Sequence, residues 1–155
     1  EAHSESREAW EQVQAAIAHL SPEQREVLVL RDVEGLSAKE VAAVVDSSVS
    51  AVKSKLHRAR VELRKLLRSD PIPRDPSCPN IVETYSRYLE DELTPDICST
   101  MEAHVASCRR CSAECDGLKQ ALNACSSATC EVPPEVARRV QEALRSVLDL
   151  PKTEG

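Results

Sequence analysis

Gly35-Leu-Ser-Ala-Lys-Glu-Val-Ala-Ala-Val-Val-Asp-Ser-Ser-Val-Ser-Ala-Val-Lys-Ser-Lys-Leu-His-Arg-Ala-Arg60 is the stretch whose reading decides the fold. Ser37 followed three residues later by Glu40 is a capping box, in which each side chain satisfies a backbone N–H at a helix start. It opens a short helix through Val41, Val44 and Val45. Asp46-Ser47-Ser48 makes a tight turn, and a long helix runs from about Val49 to Leu67. Val49, Val52, Leu56, Ala59, Leu63 and Leu66 recur on it at helical spacing and form an apolar stripe. Ser50, Ser54 and Arg58 lie roughly opposite, flanked by Ala51, Lys53, Lys55 and His57. Two helices joined by a turn of three or four residues, the second one basic, is the helix-turn-helix arrangement. From Lys53 to Arg68 there are seven basic residues and one acid, Glu62. Two readings stand on pattern alone: an ordinary amphipathic helix of a bundle, or a helix that enters a major groove. In the second, Ser54, Lys55 and Arg58 meet base edges or phosphates, while Arg60, Arg64 and Lys65 track the backbone.

Upstream, Glu8 to Leu20 reads as a helix with Trp10, Val13, Ile17 and Leu20 on one side. Ser21-Pro22-Glu23-Gln24 is a second start signal, with Ser at the N-cap and Pro in the first helical position. The helix it opens reaches about Glu34, burying Val27, Leu28, Leu30 and the stem of Arg31, and Gly35 stops it. Composition supports helices throughout. Hydrophobic residues make up 41% of the chain, yet there is no Phe, aromatics are 2%, and Gly occurs three times in 155 residues. No segment alternates as a half-buried strand does. The expected class is all-α: a four-helix helix-turn-helix domain over residues 8–68, followed by a small metal-binding helical domain rich in cysteine.

Asp70-Pro-Ile-Pro-Arg-Asp-Pro76 has three prolines in six residues, which ends a helix and favours an extended connector, here residues 69–77. Residues 78–150 then carry all seven cysteines. A helix is expected with Ile81, Tyr85, Tyr88 and Leu89 on one side, ending near Leu93-Thr94. Another starts at Pro95 with Cys98, Met101, His104 and Val105, and a further run spans Cys108 to Cys125. Pro133-Pro134-Glu135 opens a last amphipathic helix with Val136, Val140, Leu144, Val147 and Leu148 on its apolar face. Residues 71–155 hold nine basic and fourteen acidic residues, a net of −5, so an acidic half faces a basic helix.

His104, Cys108, Cys111 and Cys115 recur at steps of four, three and four. On one continuous helix that spacing lines an imidazole and three thiols along one face. Neutral imidazole and thiolate suit Zn²⁺ and Cd²⁺, with Cu(I) as the other soft candidate. A tetrahedral site wants four donors, and Cys78, returned by a helical hairpin, is the candidate fourth beside His104, Cys108 and Cys111. Cys98, Cys115, Cys125 and Cys130 could furnish a second, all-sulfur site. The plain alternative for any of these thiols is a small buried hydrophobe or a surface thiol. Thiols without a secretion signal point to a reducing cytoplasm, and no apolar run is long enough to span a bilayer.

Leu20-Ser-Pro-Glu-Gln-Arg-Glu-Val-Leu-Val-Leu-Arg31, Gly35-Leu-Ser-Ala-Lys-Glu-Val-Ala42 and Ala51-Val-Lys-Ser-Lys-Leu-His-Arg-Ala-Arg60 closely resemble region 4 of extracytoplasmic-function sigma factors. The resemblance implies recognition of the promoter −35 element through Ser50, Ala51, Lys53, Ser54, Lys55, His57, Arg58, Arg60 and Arg64. It also implies contact with the RNA polymerase core, at the β-flap and β′. Asp46 stands where the family often has Gly, and Ser50-Ala51 replaces a usual Gly-Thr. Nothing resembles the region 2 that melts the −10 element, and the chain begins with Glu, so it is expected to be the C-terminal part of a longer factor. Cys78 with His104-x3-Cys108-x2-Cys111, and Tyr88-Leu-Glu-Asp-Glu-Leu93, resemble a zinc-binding anti-sigma domain. The fusion of the two resembles the CorE-type, metal-responsive sigma factors of myxobacteria. That resemblance implies a built-in regulator whose metal decides whether the promoter is engaged. The absence of a Cys-x-Cys pair favours cadmium or zinc over copper.

The mechanism expected from these readings is a two-state switch. The acidic domain, through the helix opened at Pro134, covers residues 22–68 in an intramolecular contact; metal at the second site fixes Cys125 and Cys130 against Cys115 and repositions that helix, only as far as its affinity differs between states. Two rivals are a redox sensor, with Cys108 and Cys111 forming a disulfide, and a thiol enzyme on the same pair. The enzyme reading lacks the surrounding βαβ pattern and any nucleophile–base pair, so the chain is expected not to be an enzyme.

Overall fold

The structure, a computed structural model, describes residues 2–68, 75–128 and 134–148. Eight α-helices follow in chain order: α1 Ala2–Ile17, α2 Pro22–Leu28, α3 Ala38–Val45, α4 Val49–Leu66, α5 Ile81–Leu89, α6 Pro95–Ser107, α7 Arg109–Ser127 and α8 Pro134–Leu148. No strand occurs among the described residues, as the all-α reading expects.

The caps behave as their sequences demand. Ser21 Oγ accepts from the Gln24 amide at 3.3 Å, with Pro22 in the first turn. The Ser37 box closes reciprocally: the Glu40 amide donates to Ser37 Oγ at 3.2 Å, and the Ser37 amide donates to Glu40 Oε2 at 2.8 Å. Asp46 takes the left-handed conformation, φ 53° and ψ 56°, which a short polar side chain tolerates better than most. Ser48 then caps α4, accepting from the Ala51 amide at 3.1 Å. Ser37→Ala is expected to lower stability by about 1 kcal/mol. A drop in the urea midpoint with an unchanged slope would register it, and an unaltered midpoint would count against the cap.

One difference from expectation lies between α2 and α3. The helix begun at Pro22 does not run on to Glu34 as a plain α-helix. Val29–Val33 widens into a π-turn, in which the Glu34 amide donates to Val29 O at 2.9 Å. Gly35, at φ 79°, ends it. The inserted residue rotates Arg31 and Asp32 relative to α2, and both carry contacts to later parts of the chain.

Three apolar clusters hold the fold. Val27, Leu30, Leu36, Ala38, Val41, Ala42, Val52 and Leu56 form the centre of the helix-turn-helix, with Val140 of α8 packed against it. Val13, Ala16, Ile17, Leu20, Leu28, Ala59 and Leu63 form a second cluster, completed by Ala121, Ala124 and Cys125 of α7. Ile81, Cys111 and Cys115 form the third, with Cys78, Tyr85, Met101, Val105 and Cys108 around them. Helix α7, about 28 Å long at 1.5 Å per residue, therefore has one end in the thiol cluster and the other in a core shared with α1 and α4.

The α4 stripe is buried at Val52, Leu56, Ala59 and Leu63, but its end members Val49 and Leu66 are exposed. Helix α5 stops at Leu89, four residues short of Leu93, because Asp91 turns left-handed at φ 56°. That turn leaves Glu90 and Glu92 on a loop beside α4 rather than on a helix. Of the apolar face expected on the last helix, only the Val140 side chain falls among those described.

Candidate metal centre and nucleic-acid interface

Cys78, His104, Cys108 and Cys111 converge. Cys78 sits in a turn in which its amide donates to Asp75 O at 3.0 Å and the Ser77 amide and hydroxyl both donate to Asp75 Oδ1. His104 lies in the last turn of α6, and Cys111 in the first turn of α7. The four ligand atoms all lie within 4.8 Å of one another. Cys78 Sγ is 3.9 Å from Cys108 Sγ, and His104 Nε2 is 3.3 Å from Cys111 Sγ. A tetrahedron with Zn–S bonds of about 2.3 Å has S···S edges of roughly 3.8 Å, so the spacing fits such an ion. Burial first, then hydrogen bonds and charge from Cys78 and Cys108, pushes the Cys111 thiol up to about 12. The Cys111 amide, hydrogen-bonded to Cys108, pulls the Cys108 thiol below its ordinary value. The set offers three sulfur donors and one imidazole, and a soft divalent cation would displace the thiol protons on binding.

The stripe that one continuous helix would make does not form, because the segment divides into two runs, as the separate runs from Pro95 and Cys108 expect. Cys108 is extended, φ −116° and ψ 109°, and breaks the segment into α6 and α7. The break is what lets His104 fold back onto Cys111 across the junction. Among the described residues the remaining thiols are not gathered. Cys115 is buried one turn beyond Cys111, and Cys125 is wholly buried in the cluster with α1. Ten residues apart on intact α7, these two stand about 15 Å from each other along the axis, too far to share an ion held by bonds of about 2.3 Å. Cys98 lines a groove between α5, α6 and α7, together with Tyr85, Met101 and Cys115. Cys130 lies outside the described residues. A second site drawn from Cys98, Cys115, Cys125 and Cys130 is thus not assembled among the described residues.

The basic helix divides into two faces. Ser50, Ser54 and Arg58 are exposed, and Ala51 and Lys55 are half-buried, with Lys55 3.4 Å from Glu23. Lys53, His57, Arg60 and Arg64 instead face the second half of the chain. Lys53 Nζ donates to Glu90 O at 3.0 Å. His57 Nδ1 lies 2.7 Å from Ser86 Oγ, and its Nε2 2.8 Å from Glu92 Oε2. Arg60 has no exposed surface. It donates twice to Asp32, at 2.8 and 3.0 Å, once to Glu90 Oε1 at 3.0 Å, and once to Ser86 Oγ at 3.0 Å. Burial opposes its charge most strongly, but the bonds and charge of Asp32 and Glu90 outweigh it and hold its pKa above the ordinary value. Arg31 adds a bond to Glu90 Oε1 at 3.1 Å. Arg64 Nη2 lies 3.4 Å from Glu114 Oε1.

Of the residues expected to track phosphates, Arg60 and Arg64 therefore carry carboxylates of other segments, while Lys65 is exposed and lies 3.8 Å from Glu62 of its own helix. Sequence reading missed Asp32, Ser86 and Glu114 as their partners. Glu90 and Glu92 had a signal, since they belong to the acidic run Tyr88–Leu93. Ser86 and Glu114 had none.

Residues 10–63 match the family model of sigma-70, region 4, and residues 78–112 match a zinc-finger family model that takes in all four converging donors. An ECF RNA polymerase sigma factor, SigG, of Mycobacterium tuberculosis is 38% identical over 94 residues, covering 59% of this chain and 25% of the relative. An RNA polymerase sigma-E factor of Streptomyces avermitilis is 50% identical over 50 residues, 32% of this chain and 28% of the relative. The EcfG sigma factor of Rhodopseudomonas palustris is 38% identical over 61 residues, 39% of this chain and 34% of the relative. The chain thus spans about a quarter to a third of the length of these curated relatives. No solved structure matches it. No helix among the described residues is long and apolar enough to cross a membrane.

Proposed function

We propose, for a chain that joins the region 4 of an extracytoplasmic-function sigma factor to a zinc-finger segment, that promoter engagement is governed by soft-metal occupancy of the cysteine-rich half. Region 4 would read the −35 element through the first turns of α4, where Ser50, Ser54 and Arg58 are open and Ala51 and Lys55 are adjacent. Lys53, His57, Arg60 and Arg64 would add backbone contacts once released from the acidic half. RNA polymerase core, through its β-flap and β′, is the expected protein partner. Cys78, His104, Cys108 and Cys111 would hold Zn²⁺ or Cd²⁺, with copper less suited to this donor set. The bound ion would supply a fixed tetrahedral anchor for the α6–α7 junction.

A single observation carries this reading: three of the carboxylates on the cationic face of α4, Glu90, Glu92 and Glu114, belong to the segment that supplies the four donors, beside Asp32 of the first half. Such an arrangement is an intramolecular mask, and its stability can depend on metal only if the masked and open forms bind metal differently. The test is duplex binding by the chain, with and without Zn²⁺ or Cd²⁺, followed by fluorescence anisotropy on a −35-containing duplex. A change of roughly tenfold is expected, in the range of ordinary coupling energies. Identical curves with and without metal would sink the reading. The 3.9 Å approach of Cys78 and Cys108 favours a second reading, in which oxidation of the thiols acts as metal loss does. A thiol oxidant that leaves binding untouched would exclude it.

A further inference from the structure

Glu114 stands three residues beyond Cys111 on α7, and its carboxylate meets two cations, Arg64 of α4 and Arg68 just past its end. Arg64 Nη2 lies 3.4 Å from Oε1, and Arg68 pairs with Oε2. One carboxylate therefore serves two guanidinium groups, and it serves them incompletely. The Nε atoms of Arg64 and Arg68 and Glu114 Oε1 are buried without a hydrogen-bond partner. Burial lowers the pKa of both arginines, and the charge of Arg64 lowers that of Arg68 further. Gly117 completes the seat, because a Cβ at that position would collide with the Arg64 guanidinium. Glycine inside a helix is less favourable than alanine, so α7 is weakened at the point where Arg64 rests. A small cavity lined by Lys65, Arg68, Cys78, Arg110, Cys111 and Glu114 joins this clamp to the thiol cluster.

We propose that Glu114 is the positioning residue that couples the four-donor centre to α4, and that metal at the centre keeps the clamp shut. Donors from three separate segments fix the first turn of α7 when they share an ion, and Glu114 is then held where Arg64 and Arg68 meet it. When the donors part, that turn loosens. The two under-paired arginines then exchange half a carboxylate each for a DNA phosphate each, a better match in both charge and hydrogen bonds. The inference rests on the metal and DNA reading above and adds the route and the direction. A competing route runs from Cys78 through the Asn80 cap into α5 and on to Glu90.

Coupling of this kind is reciprocal: if metal weakens duplex binding, duplex weakens metal binding by the same factor. The experiment uses the whole chain, Zn²⁺ alone and a short duplex of arbitrary sequence. Duplex affinity is measured with and without zinc, and zinc affinity by chelator competition with and without duplex. In the wild type each probe should weaken the other roughly tenfold. In Glu114→Gln the mutual effect should vanish, and zinc affinity without DNA should fall to about the value that the wild type shows with duplex bound. Gly117→Ala, which displaces Arg64 and raises helix propensity, should reduce the effect without loss of helix content. Full coupling in either variant would overturn the proposal, and so would coupling lost in Glu90→Gln but kept in Glu114→Gln. No coupling in the wild type would overturn the function proposed above together with this inference. Should Glu114→Gln fail to fold, Gly117→Ala decides alone.

Discussion

Cys111→Ser is expected to lower zinc affinity by well over the roughly 100-fold that loss of a supporting, non-ligating partner can cost. Cys111 is the most buried of the four converging donors and the one in contact with His104, so the variant leaves an open trio that water can enter. Because binding to a structural zinc site is also folding free energy, α5–α7 should lose helix content in the same variant under conditions where the wild type is loaded. Chelator competition and circular dichroism read the two effects. pH separates this site from adventitious binding. Metal must displace thiol protons, and with Cys111 held up at about 12 its proton is present throughout the neutral range. Wild-type zinc affinity therefore rises with pH, and the variant, having one thiol proton fewer to displace, rises less steeply. Unchanged affinity in the variant would place the ion elsewhere.

Arg60→Met is expected to cost about 3–5 kcal/mol of stability at neutral pH, the usual consequence of removing one partner from a buried ion pair. The penalty arises because Asp32 and Glu90, both nearly buried, are left facing one another without their shared cation. Replacing all three together, with Asp32→Leu and Glu90→Met added, should recover most of the loss, since an apolar set avoids the desolvation of charge. Urea denaturation distinguishes the outcomes. If the single variant lost less than 1 kcal/mol, the network would be a surface-like pairing of the kind worth almost nothing. On the proposed switch, the site also explains how an arginine can lie in an interface that opens. Arg60 is satisfied on both sides, by Asp32 of its own half and by Glu90 of the other, so opening deprives it of one carboxylate and not of both.

How far the sequence could be read depended on whether a structural decision was local. Capping boxes, the Asp46 turn and the α4 stripe were legible because a few neighbouring residues settle them. The four converging donors were legible for a related reason: their residue types are rare, and their spacing constrains the backbone. The π-turn was not, since Val29–Val33 has ordinary helical residues and the extra residue is accommodated by packing. The division at Cys108 was legible as two runs, one from Pro95 and one from Cys108, although no Gly or Pro marks the extended residue between them. Least legible was the fate of the basic face. Charge count places Lys53, His57, Arg60 and Arg64 on a helix surface but is silent on what covers them. Their partners lie 26 to 50 residues away, at Ser86, Glu90 and Glu114, and neither spacing nor periodicity carries information over that range.

The double anchorage of α7 has a kinetic consequence. On the proposed switch, with Ala121, Ala124 and Cys125 embedded beside α1, the cysteine-rich segment would stay beside the basic helix when its other end lets go. Release is then a swing about a fixed point, and reclosure is a unimolecular event at the millimolar effective concentration typical of short tethers. A duplex competing for the same arginines has to outbid a neighbour that never leaves, so its own concentration sets the balance while that of the protein does not.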